Sequence, residues 1–453
     1  VFPREFRVRP PPAVATLPGD SEFFRGPHAQ GDSIVMTTSA AADCRFCDVP
    51  LTRTFLDLGM SPLCQSHLEA HELNQGEEFY PLHVFLCEKC LLVQLQQYVS
   101  PEKIFSEYAY FSSFVETLVR LAEKYVSEMV PRLGLSASSK VIEIASNDGY
   151  LLQHFVRRGI PVLGVEPAAN VAKAAEEKGV PSVVRFFGVE TARALVADGV
   201  SADLLLGNNV LPHVPNLHDF VGGLKILLKP AGTITIDFQH LLRMMQGNQF
   251  DTIYQEHFSY LSFTFVVKLF AHHGLTLFDV EEIPTHGGSL RIFARHADAA
   301  GGAATSPAVA QMLELEEREG MNRIEHYANY EQRVKETKRQ ILSFLIQAKR
   351  DGKSIVGYGA AGKTNTLFNY CGIRADFLDY VVDRNTYKQG KFLPGTHIPI
   401  LAPERIRETR PDYLFIGPWN LVDEIVKQTS YIRDWGGQWL VPIPELKVLS
   451  EPR

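Results

Sequence analysis

The segment Phe250-Asp-Thr-Ile-Tyr254-Gln-Glu256-His257-Phe-Ser-Tyr260 sets an acid, an imidazole and two phenols close together. A neutral histidine with an ordinary pKa near ~6.5 suits general-base work near neutral pH. Tyr254 and Glu256 could orient that imidazole or hydrogen-bond an oxygen that gains charge. Such a set fits removal of a proton beside a carbonyl, with support for the resulting enolate. A helix start carrying a satisfied histidine fits the same residues. Downstream, His286-Gly-Gly-Ser289-Leu-Arg291 makes a tight polar turn into a strand, either a substrate contact or a plain β-turn.

Four of the six cysteines form two knuckles, Cys44-Arg-Phe-Cys47 and Cys87-Glu-Lys-Cys90. One CxxC pair can put both thiolates on a metal, and two pairs complete the tetrahedron that Zn2+ prefers. A redox dithiol needs one such motif at a helix start, not two on strand ends. Four thiolates close the coordination sphere, so the expected Zn2+ is structural. Cys64 and Cys371 stand alone and read as buried apolar residues.

The elements that position these groups are those of an α/β chain. The stretch KVIEIASNDG, residues 140–149, runs from a β-branched strand into a polar turn and is followed by the helical pattern YLLQHFVRRG. A second strand, PVLGVEP, contains Glu166 near its end. In such a βαβ unit the first loop lies at the carboxyl end of a parallel strand, where open α/β sheets bind ligands. The loop lacks the GxGxxG of a pyrophosphate site. An acid on the first strand (Glu143), a turn with Asn147, Asp148 and Gly149, and an acid able to accept from both ribose hydroxyls (Glu166) form an S-adenosylmethionine (SAM) pattern. A purely structural turn is the competing reading. The next strand, ADLLLGNN, ends in Asn208 and Asn209, which could border the cofactor, with His213 just beyond. The strand GTITID continues a doubly wound sheet.

Hydrophobic residues make up 45% of the 453-residue chain and charged residues 21%, the balance of a soluble globular protein. A net charge of −7 argues against nucleic acid as a partner, which calls for a basic footprint. No apolar run reaches ~18 residues, so no membrane span is expected. Residues 1–40 are rich in Pro, Gly and charge, and read as a disordered leader or appended extension. With no apolar signal core the expected location is cytoplasmic.

The knuckles, Tyr108-Ala-Tyr110-Phe-Ser-Ser, EIASNDG, GVEP, IYQEHFSYLS and HGGSLR occur in one order, followed by Gly357-Tyr-Gly-Ala-Ala-Gly-Lys363, VDRNTYKQG and PGTHIP. This resembles the sugar-nucleotide C-methyltransferases of deoxysugar biosynthesis over roughly residues 40–450. The resemblance implies a zinc-binding domain (41–98), a Rossmann-like SAM methyltransferase core (99–300), a helical connector (301–351) and a second Rossmann-like domain (352–453). It implies methyl transfer to the carbon beside the ketone of a dTDP-linked keto-deoxysugar. The chain is expected to be a monomer or homodimer. By the same resemblance His257 is the general base, Tyr254 and Glu256 its neighbours, and Tyr108 a phenol from the N-terminal side, with Tyr110 the alternative. The family's glycine loop carries Pro- or Thr-Ala-Lys, whereas this chain has Ala360-Ala-Gly-Lys363.

That loop also matches the Walker A spacing, yet the domain is short and its nearest magnesium acid, Asp383, ends the very next strand. Cradling a sugar-nucleotide diphosphate at a helix N-terminus suits it better. Lys388, His397 and Trp419 could line the nucleotide, or could be structural. The alternatives are an O- or N-methyltransferase on a small natural product, and a zinc-ribbon binding protein with a degenerate core. The connector's charges read as a solvated face, with Ile341, Leu342, Phe344 and Leu345 packed.

Overall fold

The computed structural model describes residues 42–106, 111–299 and 304–450; Tyr108, Tyr110 and the leader lie outside them. In chain order the strands are β1 (Arg53–Ser61), β2 (Tyr80–Leu86), β3 (Val93–Leu95), β4 (Val141–Ile144), β5 (Val162–Val165), β6 (Ser182–Val183), β7 (Ala202–Asn208) and β8 (Leu228–Gln239). They continue with β9 (Ser259–Tyr260), β10 (Leu275–Ile283), β11 (Ser289–His296), β12 (Ile355–Tyr358), β13 (Val381–Val382), β14 (Ile400–Leu401), β15 (Tyr413–Ile416), β16 (Gln438–Val441) and β17 (Lys447–Leu449).

The central sheet runs β10-β11-β8-β7-β4-β5-β6, parallel from β8 through β6 and antiparallel at β11 and β10. Every residue of β4 is buried, as a strand covered on both faces requires. Because β5 and β7 flank β4, the chain leaves β4 in opposite directions on its two sides. The loops after β4 and β7 therefore open a crevice at the strands' carboxyl ends. The C-terminal sheet runs β14-β13-β12-β15-β16-β17 and repeats this logic, with its switch point beside β12.

The N-terminal sheet runs β1-β2-β3-β9. Its last strand comes from the segment that carries His257, through the pairs Val93–Tyr260 and Gln94–Ser259. Phe55, Leu56, Leu82 and Val84 of this sheet share one core with Tyr330, Val334, Ile341 and Leu345 of the helix Tyr330–Arg350 and with the C-terminal sheet. Leu342 and Phe344 are only partly buried against that core.

The connector's charges are not all solvated. Glu316, on the helix Pro307–Glu319, is fully buried. Its carboxylate accepts from His240 Nε2 at 2.7 Å and from the backbone N–H of Phe263 (2.6 Å) and Thr264 (2.8 Å). Those amides open the helix Phe263–His272, whose first N–H groups have no partner inside the helix. An apolar residue at position 316 would leave them orphaned.

Candidate active site

The two cysteine knuckles meet. Sγ of Cys44 lies 3.6 Å from that of Cys90, and Sγ of Cys47 lies 3.5 Å from that of Cys87. All six cysteines are free, and these separations far exceed an S–S bond of about 2.05 Å. They match the roughly 3.8 Å edge of a tetrahedron with Zn–S near ~2.3 Å. The donor set thus fits Zn2+ and leaves no open position.

The knuckle is wired to the segment carrying His257. Gln94 on β3 donates from Nε2 to Cys44 Sγ (3.2 Å) and accepts at Oε1 from the Arg45 backbone N–H (3.0 Å). Arg45 also donates to the carbonyls of Pro215 (3.1 Å) and Leu95, and its guanidinium lies 5.5 Å from the Phe258 ring centroid. Leu95 N–H bonds the Phe258 carbonyl at 3.0 Å, and Phe258 N–H the Pro212 carbonyl at 2.7 Å.

A cavity of about 360 Å³ opens at the central switch point, lined among others by Asn147, Glu166, Asn208, Asn209, Asp237 and His213. Its floor is the loop after β4, where Ala145, Asn147 and Gly149 all adopt left-handed φ (55°, 48° and 70°). Backbone N–H groups of Asn147 (3.0 Å) and Ala168 (2.9 Å) donate to the two oxygens of Glu166. Burial raises the Glu166 carboxyl to about 7 against those two bonds. Asp237, also pushed up by burial, to about 6, accepts from Asn209 N–H at 2.7 Å.

His257 lies behind His213, with ring centroids 4.5 Å apart. Its Nδ1–H donates to the Thr252 carbonyl at 2.8 Å, because a carbonyl can only accept. That fixes the tautomer and leaves a lone pair on Nε2, which is buried without a partner among the described residues. Burial, then the neighbouring His213, holds His257 well below the usual imidazole range, so it is neutral at pH 7. The Tyr254 ring lies 4.2 Å from the imidazole, and Glu256 accepts from Cys64 Sγ at 3.3 Å.

The C-terminal domain grips the same segment. Trp419 Nε1 donates to Asp251 at 2.7 Å and Thr366 Oγ1 to the Ile253 carbonyl at 3.0 Å. Trp419 presses so closely on Gly287, beside His286, that a Cβ there would sit 2.4 Å from the indole. Lys363 Nζ lies 4.7 Å from the Trp419 ring centroid and donates to Asn420 at 2.7 Å. Desolvation lowers this amine to about 8.

Three family models match: a zinc binding domain over residues 44–105, a methyltransferase domain over 114–280 and a C-methyltransferase C-terminal domain over 284–444. C-methyltransferase NovU of Streptomyces niveus is 34% identical over 408 residues, 90% of this chain and 97% of that one. This chain belongs to the C-methyltransferase family. It is a SAM-dependent C-methyltransferase whose cofactors are SAM and structural Zn2+. Similar solved structures include a SAM-dependent methyltransferase from Clostridium acetobutylicum (11% identity, 39% of this chain, 92% of that chain, TM-score 0.33). Another is the magnesium protoporphyrin IX methyltransferase of Synechocystis with bound SAH (14% identity, 39% and 82% coverage, TM-score 0.31).

Set against this C-methyltransferase scaffold, the sequence-predicted residues separate into groups. Asn147, Glu166, Asn208, Asn209, His286 and Arg291 line the cavity. Glu143 does not: it is fully buried, its oxygens have no partner among the described residues, and burial raises its carboxyl far above the ordinary range. Asp148 turns to Lys178 (2.8 Å), and Gly149 packs against Ala175 and Val180; neither lines the cavity. The Ser289 hydroxyl closes its own turn on the Thr285 carbonyl (2.9 Å). Lys388 donates to the Ala360 carbonyl at 2.7 Å, and His397 Nε2 sits 2.8 Å from Glu77 of the N-terminal domain. These are the protein partners of Asp148, Ser289, Lys388 and His397. Sequence reading left Asp237 unassigned, although an acid near the end of a further parallel strand was a usable signal. Nothing in the sequence marked Gln94 or Arg45.

Among the described residues no helix is long and apolar enough to cross a membrane.

Proposed function

We propose that this C-methyltransferase methylates the carbon beside the ketone of a nucleotide-linked, dTDP-type keto-deoxysugar, through an enolate raised by His257. One observation carries the reading: a neutral, tautomer-fixed imidazole whose Nε2 has no partner among the described residues, one ring away from the cavity wall. SAM, when bound, supplies an electrophilic methyl on a good leaving group. Glu166 accepts from its ribose hydroxyls, using the lone pairs its two amide bonds leave over. The Asn147 loop and Asn208 flank it.

His257 Nε2 takes the α-proton, and Thr252 keeps the Nδ1 proton in place, so the ring becomes an imidazolium inside a buried pocket. Burial opposes that cation, so the base is weak and the developing oxyanion needs donors nearby. The Tyr254 hydroxyl, with Tyr108 or Tyr110 as a second phenol, meets that need, and Glu256 steadies the imidazolium. Lys363, delivered from the C-terminal domain, binds the diphosphate.

The test is deuterium wash-in at the α-carbon of a dTDP-keto-sugar without SAM. Exchange in the wild type that disappears in His257→Asn is expected. No exchange in the wild type would refute the enolate route.

A further inference from the structure

We propose that His218, His272 and His273 form a second metal site, for Zn2+ or another borderline divalent transition ion, beside the first cysteine knuckle. His218 lies on the helix Leu217–Leu227, His272 ends the helix Phe263–His272, and His273 follows it. One ring nitrogen from each falls within 4.8 Å of the others. An ion with Zn–N near ~2.05 Å would set them about 3.4 Å apart, within reach of small side-chain rotations.

The proton positions favour metal binding. His218 Nε2 lies 3.0 Å from the Phe46 carbonyl and must donate to it. His218 Nδ1 therefore carries a lone pair, and it lies 3.0 Å from His273 Nε2, which donates to it. Moving the His273 proton to Nδ1 frees a second lone pair toward the same point, with no change of charge. A histidine oriented through a carbonyl on its far nitrogen is the usual support of a metal-ligating imidazole. Phe46 fixes the geometry further, stacking on His218 (5.3 Å, 17°) and meeting His272 edge-on (5.8 Å). His272 is exposed and the other two half-buried, which leaves one coordination position for water. The set contains no thiolate, so it suits imidazole-preferring ions.

The test is titration of Zn2+ into untagged full-length enzyme already holding one Zn2+ per chain, read by calorimetry and metal analysis. A second equivalent is expected, weakened at least tenfold in both His218→Gln and His272→Gln. The exposed His272 change leaves the helix packing undisturbed and guards against misfolding of the His218 variant. Saturation at one Zn2+ per chain, or a second equivalent that survives both substitutions, would overturn the proposal.

Discussion

Replacing His257 by Asn removes the one nitrogen lone pair on which the proposed chemistry depends, while an amide N–H can still reach the Thr252 carbonyl. A positioned general base contributes about 10²–10⁴-fold, which is roughly 2.7–5.5 kcal/mol of barrier. The nearest other imidazole is His213, its ring centroid 4.5 Å away and likewise held low by burial, at about 4. The loss should fall within that range, at least about 10²-fold in kcat. The ring does not line the cavity, so SAM affinity should change less than about threefold. The pH profile adds a sign. Because His257 titrates below 6.5, its base form persists as pH falls through 6.5, and wild-type kcat should lose no activity to this group until lower pH. The assay is methyl transfer from labelled SAM at saturating sugar nucleotide, with calorimetry for SAM. A kcat loss under tenfold, or a SAM affinity loss matching it, would refute the assignment.

Cys87→Ser should release zinc and lower the melting temperature together, since metal binding is coupled to folding; a metal-free protein with unchanged melting would contradict the structural role. Glu166 titrates near 7 without ligand, so wild-type SAM affinity should strengthen as pH rises from 6 to 8. Glu166→Gln should flatten that dependence and weaken binding about 10–100-fold at pH 8, the scale of lost hydrogen bonds to a charged group; an unchanged profile in the variant would sink the idea. Lys363→Met should raise the KM for the sugar nucleotide at least tenfold with SAM affinity unaltered, and equal effects on both ligands would place the lysine elsewhere.

Much of this protein was legible in order along the chain. The knuckle spacing announced a closed metal site, because two CxxC pairs leave few other uses for four thiolates. The runs VIEI and DLLL announced the strands β4 and β7, and the acid at 166 a residue that lines the cavity at the switch point. Assembly was not legible. Glu143 and Asp148 looked like cofactor ligands by position; neither lines the cavity, Glu143 lying fully buried and Asp148 paired with the amine of Lys178. Glu316 looked solvated, and helix-end amides drew it inside.

Tertiary structure also decided that the segment carrying His257 leaves the central sheet to pair as β9 with β3, and that Trp419 holds it from the other side. A two-residue strand has no periodicity to read, and its partner lies far away in sequence. The sequence by itself determined which groups could do the chemistry. The pairing of backbone amides and the burial of indole and arginine, which depend on where three domains meet, decided which of them face one another.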